Sequence, residues 1–211
     1  MIKIENEIKK NLINLNNNLP KIVAVSKTFK IDKILPLIDY GHINFGENKV
    51  QEAVDKWTDV KLKKPNIKLH MIGKLQTNKV KFAVKLFDYI HSVDNEKLAK
   101  KIADEEKKVD KKIKIFIQVN IGEEKQKSGI EKKDLKDLIL YCKKINLDVV
   151  GLMCLPPVDK HSSFYFNEMN SLKKTFNLPE LSMGMSSDYV EASKNFATYL
   201  RIGSSIFGER F

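Results

Sequence analysis

Short apolar segments alternate with longer amphipathic ones along most of the chain. Eight β-branched or apolar runs lie between Ile22 and Ile202, and segments with a helical period of apolar residues separate them. This alternation is typical of βαβ units built around a parallel sheet. The predicted strands cover residues 22–26, 43–45, 68–72, 89–92, 113–119, 149–153, 181–183 and 199–202, and the predicted helices cover residues 31–40, 47–57, 76–87, 95–107, 132–145, 162–176 and 187–196.

The number of predicted elements favours closure of the sheet into a barrel. A closed sheet has no exposed edge, and both faces of every strand are buried. An open doubly wound sheet is the alternative that the same pattern allows. The length of 211 residues suits one barrel. We therefore predict an α/β fold in which residues 1–211 form a single (β/α)8 barrel of the TIM type.

An amphipathic segment precedes the first predicted strand. Ile4, Ile8, Leu12 and Leu15 recur at spacings of three and four residues, which is the period of one face of a helix. We predict an additional N-terminal helix, residues 1–20, that packs on the bottom or the side of the barrel.

The composition narrows the functional classes. Hydrophobic residues make up 42% of the chain and charged residues 31%, and no run approaches the roughly 18 apolar residues of a membrane helix. The N-terminus carries acidic residues rather than the apolar core of a secretory signal, so a cytoplasmic location is expected. Cys142 and Cys154 form no C-x-x-C pair, and the four histidines lack the spacing of zinc ligands. We predict no disulfide framework, no metal site and no membrane segment.

The formal charge of +11 raises nucleic-acid binding as an alternative. The lysines are spread from Lys3 to Lys194, and no basic cluster is interleaved with aromatic side chains. We interpret the charge as a compositional drift toward lysine and predict no nucleic-acid partner. Arg201 and Arg210 are the two arginines of the chain. Lysine occupies nearly every basic position of this chain. An arginine such as Arg201 therefore indicates a position that needs the planar guanidinium group with its several hydrogen-bond donors.

Reactive groups are expected at the carboxyl ends of the strands, where barrels carry their chemistry. The first strand leads to Lys27, and partial burial of an amine at the mouth of a barrel lowers its pKa and exposes the nucleophilic form. After strand seven, Ser186 precedes a helix start whose N–H groups attract phosphate. After strand eight, Gly203 lets the chain pass close to a ligand. Each feature also has an ordinary structural interpretation, either an exposed lysine or an N-cap in which Asp188 and Glu191 form a capping box.

Several strings of the chain match a known sequence pattern and follow its order over nearly the whole length. The matching strings are residues 24–28, 45–48, 50–52, 70–73, 75–79, 118–121, 127–129, 151–153, 181–186 and 201–208. With the positions above, they resemble the pyridoxal-phosphate homeostasis protein family, whose barrel is similar to the N-terminal domain of alanine racemase. One departure is Lys74, where many relatives place histidine or proline, and the resemblance does not settle the shape of the pocket mouth at this residue.

The resemblance implies a cofactor and the residues that bind it. The cofactor is pyridoxal 5′-phosphate, and Lys27 holds it as a Schiff base. Ser186, together with the turn of Gly203 and Ser204, holds the phosphate. Arg201 faces the pyridine nitrogen. Asn48 is also carried over from the resemblance, as a contact of the pocket wall.

The resemblance further implies what the protein does. Because a guanidinium donates a hydrogen bond but no proton, Arg201 leaves the cofactor ring a poor electron sink. The chain ends at Phe211, whereas alanine racemases add a β-domain that helps to supply a second base. We expect a monomer that buffers the cofactor and delivers it to apo-enzymes with little or no catalysis, and the alternative is a pyridoxal-phosphate-dependent amino-acid racemase of low activity.

Overall fold

The eight strands form a closed parallel barrel. The computed structural model describes residues 1–13, 18–124, 126–157 and 161–209. The strands follow one another around the ring in chain order, and pairing of the first with the last completes it. The predicted (β/α)8 barrel is confirmed, and the alternative of an open sheet is wrong. The strands are β1 (Lys21–Val25), β2 (Asn44–Glu47), β3 (Lys68–Met71), β4 (Tyr89–Val93), β5 (Lys114–Val119), β6 (Asp148–Cys154), β7 (Glu180–Ser182) and β8 (Tyr199–Ile202).

Helices connect the strands and cover the outside of the barrel. All seven predicted connecting helices are present, and α9, a single turn after β8, was not predicted. Within the described residues, no helix has both the length and the apolar character of a membrane span. The helices are α1 (Ile2–Leu12), α2 (Ile31–Asp39), α3 (Val50–Lys63), α4 (Val80–Leu86), α5 (Glu96–Val109), α6 (Leu135–Lys144), α7 (Ser162–Thr175), α8 (Tyr189–Lys194) and α9 (Ser204–Phe207).

The N-terminal helix is shorter than predicted. It ends at Leu12, and residues 18–20 are not helical, so the prediction of a helix up to residue 20 is wrong there. Pro20 disfavours the helical conformation of the residue before it, which accounts for the non-helical stretch. The predicted position Leu15 lies outside the described residues. Ile4, Ile8 and Leu12 are buried, and α1 packs beside α8 on the flank of the barrel.

The junction of β2 and α3 also differs from the prediction. A helix was predicted from residue 47, but Glu47 is the last residue of β2, and α3 runs from Val50 to Lys63. The reason lies in the burial of Glu47, whose carboxylate accepts several hydrogen bonds at the carboxyl end of the strand. This position matters for the site, because it fixes where the chain leaves β2.

Buried apolar side chains form two cores that pack against the strands. The larger core lies between the sheet and the helices. A smaller one inside the barrel contains Val23, Phe116, Met153 and Tyr199. The strands are therefore packed on both faces, and their carboxyl ends form a rigid rim on which side chains of the site can be placed.

Candidate cofactor-binding site

A cavity of about 650 Å³ opens at the carboxyl ends of the strands. Its walls come from the segments that follow β1, β2, β3, β6 and β7 and from the end of β8. All six site residues predicted from the sequence line this one cavity, although their positions along the chain are far apart. Their roles remain predictions. The six residues are Lys27, Asn48, Ser186, Arg201, Gly203 and Ser204.

One end of the cavity is lined by hydroxyl and backbone N–H groups. The Oγ of Ser186 accepts hydrogen bonds from the backbone N–H of Gly203 at 3.3 Å and of Ser205 at 3.4 Å. These contacts join the loop after β7 to the turn that begins α9. Converging N–H and hydroxyl donors are the groups that bind a phosphate in many proteins.

The capping-box interpretation of the loop after β7 does not hold. Asp188 precedes α8, but its side chain makes no capping bond to the helix and instead accepts from the N–H of Met185 at 2.6 Å. Glu191 binds Asn195 within the helix. The hydrogen bond between Asp188 and Met185 therefore shapes the loop, and Met185 lines the cavity.

Arg201 is a buried cation in the wall of the cavity. Its side chain is only 4% exposed. Nη1 donates to Ser182 Oγ at 2.8 Å, and Nη2 donates to the carbonyl of Cys154 at 2.9 Å. Burial lowers the pKa of Arg201 from its ordinary value, but a guanidinium remains charged. Among the described residues, no carboxylate forms an ion pair with it, so its charge is available to a ligand.

Asn48 lines the same cavity and carries a buried polar atom without a partner in the described part of the chain. Its Oδ1 is buried and has no hydrogen-bond partner among the described residues. Gly73 lies directly against it, since a Cβ atom at Gly73 would come within 2.4 Å of the carbonyl oxygen of Asn48. Only glycine allows this close approach, so the end of β3 helps to fix Asn48 at the cavity wall. The departure at Lys74 lies beside this contact, with an exposed side chain, and Ile72 and Gly73 supply the lining at this point.

Lys27 lies on the turn after β1 with its side chain partly buried. The next residue, Thr28, has a φ of 69°, in the left-handed region that non-glycine residues seldom adopt. Its N–H donates to Glu52 Oε1 at 2.5 Å, which stabilises this conformation. The turn therefore depends on a contact with α3.

A cluster of charged side chains lies behind this turn, and we call Glu47, Glu52 and Lys56 the acid–lysine cluster. Glu47 Oε1 accepts from Ser26 Oγ at 2.7 Å, from Trp57 Nε1 at 2.9 Å and from Lys56 Nζ at 3.0 Å. Lys56 Nζ also donates to Glu52 Oε1 and to the carbonyl of Ser26, both at 2.9 Å. Glu47 is fully buried, and the Lys56 side chain is 8% exposed.

A second group of buried polar residues lies behind Arg201, and we call Ser182, His91, His70 and Asn44 the polar chain. His91 Nδ1 is 2.8 Å from Ser182 Oγ, His91 Nε2 is 2.9 Å from His70 Nδ1, and His70 Nε2 is 3.1 Å from Asn44 Oδ1. Burial lowers the pKa of His70 to about 3 and lowers that of His91 well below its ordinary value.

Sequence reasoning missed both groups. The histidines were considered only as metal ligands, for which their spacing is unsuitable. A usable signal was present, because His70 and His91 lie within successive buried strands, where a polar side chain needs a partner. Glu47 and Glu52 fall within the strings that carry the family resemblance, but nothing in those strings indicates their contact with Lys56.

Comparison with known proteins identifies the family. The family described as "Alanine racemase, N-terminal domain" matches residues 5–210. A pyridoxal phosphate homeostasis protein of Aquifex aeolicus is 37% identical over 203 residues, which cover 92% of this chain and 88% of the relative. The chain belongs to the pyridoxal phosphate homeostasis protein family. The resemblance inferred from the sequence is thereby confirmed.

A further relative and a solved structure extend the match to nearly the whole chain. The protein of that name from Haemophilus influenzae is 34% identical over 219 residues, covering 99% of this chain and 92% of its own. The structure of PipY from Synechococcus elongatus with PLP bound has a TM-score of 0.83 and 32% identity, and covers 95% of this chain and 100% of that one.

The residues present fit the cofactor that the family implies. Among the described residues, the buried Arg201 guanidinium has no carboxylate partner and the buried Oδ1 of Asn48 has no hydrogen-bond partner, so polar groups of a ligand would stabilise both. The N–H and hydroxyl donors of the loops after β7 and β8 suit a phosphate. An amine lines the same cavity at Lys27.

Proposed function

We propose that this protein binds pyridoxal 5′-phosphate in the cavity at the carboxyl end of the barrel and holds it as a Schiff base on Lys27. In this role the protein stores the cofactor and releases it to apo-enzymes, and so serves the homeostasis of the cofactor. The observation that carries it is the convergence of Lys27, Arg201 and Ser186 on one cavity in a member of this family. The PLP named in the PipY structure supports the same ligand here.

Each wall of the cavity has a separate task in this proposal. Ser186 and the Gly203–Ser204 turn bind the phosphate. Arg201 donates a hydrogen bond to the pyridine nitrogen and keeps its own protons, because guanidinium is too weak an acid to give one up. Asn48 offers its amide to the polar edge of the ring.

Lys27 supplies the reversible attachment. When bound, the cofactor supplies an aldehyde that condenses with amines. Lys27 Nζ forms a double bond to the aldehyde carbon, and the aldehyde oxygen leaves as water with the two hydrogens of the amine. Water or another amine reverses this bond, so storage and release need no further catalytic residue.

Borohydride reduction tests the attachment directly. The protein is loaded with pyridoxal 5′-phosphate, reduced, digested and analysed by mass spectrometry. We expect the label on Lys27, and we expect Lys27→Ala to lose both the label and the absorbance band of the imine. The loss should be essentially complete, because no other residue replaces the bond.

The matched control is Lys30→Ala. Lys30 is exposed, lies three residues away and does not line the cavity. Its replacement should leave the band and the label unchanged. A label that persists in Lys27→Ala at the wild-type level, or that lies on another lysine of the wild-type protein, would contradict the proposal.

Homeostasis requires transfer as well as binding. We expect the loaded protein to restore activity to an apo-enzyme that depends on pyridoxal 5′-phosphate. We also expect it to act in the cytoplasm and to be a monomer. Light scattering after size exclusion tests whether it is a monomer. A racemase would instead destroy the optical activity of an enantiopure amino acid in the presence of the cofactor. A polarimetric assay therefore separates the two functions.

A further inference from the structure

A line of hydrogen-bonding side chains crosses the interior of the barrel from Arg201. It passes from β8 through Ser182 on β7 and His91 on β4 to His70 on β3, and it ends at Asn44 on β2. The distances along it are 2.8, 2.8, 2.9 and 3.1 Å. Ser182, His91 and His70 are buried, so this line is a built feature of the barrel core and is not formed by surface contacts.

The Asn44 end of the line fixes the direction of its hydrogens. The Oδ1 of Asn44 can only accept, so the Nε2 of His70 must carry a hydrogen. The Arg201 end agrees with this direction, because a guanidinium only donates, and a hydroxyl that accepts from Arg201 can still donate to His91. Every donor of the line then points away from Arg201 and toward Asn44.

Each imidazole then has one tautomer that satisfies both neighbours. A neutral ring has one donor and one acceptor nitrogen. His70 donates from Nε2 and accepts at Nδ1, so His91 donates from Nε2 and accepts at Nδ1 the hydroxyl hydrogen of Ser182. Packing supports these positions, since His70 stacks on Tyr89 with ring centroids 4.2 Å apart and His91 stacks on Phe116 at 4.3 Å.

We infer that His91 is a positioning residue for Arg201 and acts on it through the hydroxyl of Ser182. With its hydrogen directed at His91, the Ser182 oxygen is turned as an acceptor toward Arg201, and this orients the guanidinium without an ion pair. A carboxylate in the same place would bind the guanidinium more strongly but would also neutralise the charge that the ligand needs. This inference rests on the proposed function, because the oriented group is the one assigned to the pyridine nitrogen.

Binding of pyridoxine 5′-phosphate tests the inference without the Schiff base. This compound has the ring nitrogen and the phosphate, but an alcohol replaces the aldehyde. We expect His91→Leu to weaken its binding about three- to tenfold, the range for one lost hydrogen bond. His91→Asn should bind nearly as well as the wild type, because the asparagine oxygen can take the place of Nδ1 as acceptor. The matched control is His161→Asn, an exposed position that should have no effect.

A double-mutant cycle separates positioning from a general structural role. If His91 acts through Ser182, then His91→Leu should cause no further weakening in a Ser182→Ala protein. Additive losses, or wild-type binding by His91→Leu, would overturn the inference. Equal binding by the leucine and asparagine variants would overturn it as well.

The tautomers provide a readout that needs neither a ligand nor a variant. In the ligand-free wild-type protein, nitrogen NMR should show both His70 and His91 protonated at Nε2 and unprotonated at Nδ1. A hydrogen on Nδ1 of either ring would refute the direction of the line and with it the inference. If the wild-type protein carried no reductive label on Lys27 while the tautomers were as expected, the proposed function would fail and the described line would stand.

Discussion

Lys27 and Arg201 extend from neighbouring strands of the barrel, yet the groups that support them are of opposite kinds. The acid–lysine cluster behind Lys27 contains two carboxylates and one ammonium group. The polar chain behind Arg201 contains no charged group, since burial keeps both of its imidazoles neutral. Two adjacent parts of one cavity are thus held by different physical means.

The difference follows from what each support has to hold. The acid–lysine cluster binds backbone atoms, namely the carbonyl of Ser26 and the N–H of Thr28, so it fixes the turn that carries Lys27. The polar chain instead binds the guanidinium itself. One member of the cluster also reaches solvent, since the Glu52 side chain is 26% exposed. A charged imidazole beside the buried Arg201 guanidinium would add a second unpaired charge and would cost several kcal/mol, which favours a neutral chain there.

The largest effect is expected from Glu47→Gln. This change removes the buried charge opposite Lys56, and breaking a buried pair typically costs about 3–5 kcal/mol. We expect a loss of about 3 kcal/mol in the free energy of unfolding, near the low end of that range, because Glu52 still pairs with Lys56. Urea denaturation followed by circular dichroism measures it.

A second variant shows whether charge pairing is the cause. Replacing both partners, as Glu47→Gln with Lys56→Met, also removes the ammonium group that lost its buried partner, so the double variant should lose less than the sum of the single losses. If Glu47→Gln lost under about 1 kcal/mol, the charge of Glu47 would contribute no more than an exposed pair does. The contrast between the two supports would then fail.

Much of the fold could be predicted because its signals are local. Apolar runs such as Ile22–Val25 are buried on both faces of the barrel and show continuous hydrophobicity, so the eight strands were found. Errors arose where tertiary contacts decide. Burial of the Glu47 carboxylate at the end of β2 delays the start of α3 until Val50, and no feature of the local sequence indicates this.

In the site, too, the features with local sequence signals could be predicted and those that depend on tertiary contacts could not. Lys27, Ser186 and Gly203 occur at strand ends, where the barrel geometry makes function expected. The polar chain could not be predicted in this way, because it depends on which side chains meet inside the closed barrel. His91 and Ser182 are 91 positions apart in the sequence but 2.8 Å apart in the structure. Neither spacing nor residue type reveals such a contact before the strand register is known.

The next effect, which is smaller per pH unit and per ring than the loss expected for Glu47→Gln, is a dependence of stability on acid, and it belongs to the polar chain. Burial lowers the pKa of His70 to about 3 and that of His91 well below 6.5. Between pH 6.5 and about 3 the unfolded chain therefore binds a proton at His70 that the folded protein does not bind, and the unfolded chain likewise binds a proton at His91 below pH 6.5 while the folded ring stays neutral. Protons thus favour unfolding, and stability falls with falling pH by up to about 1.4 kcal/mol per pH unit for each ring.

Variants of the polar chain isolate the contribution of its two histidines to the pH dependence of stability. His91→Asn removes one of the two rings, and His91→Asn with His70→Gln removes both, while all carboxylates are kept. The slope of unfolding free energy against pH, measured between pH 6 and 4.5, should decrease with each ring that is removed. Slopes equal to that of the wild type in both variants would show that the rings are charged in the folded protein, and the polar chain would not be neutral.

The smallest effect is expected from Glu52→Gln, at the solvent-exposed side of the acid–lysine cluster. Its carboxylate is partly screened by water, and a pair of this kind contributes about 1 kcal/mol or less. The new amide oxygen can still accept from the N–H of Thr28, so the turn at Lys27 should keep its shape and reduction should still label Lys27. Urea denaturation and the reductive label measure the two expectations. A loss as large as that of Glu47→Gln would mean that burial does not set the strength of the cluster, because two carboxylates bound to the same ammonium group would then contribute equally despite their different exposure.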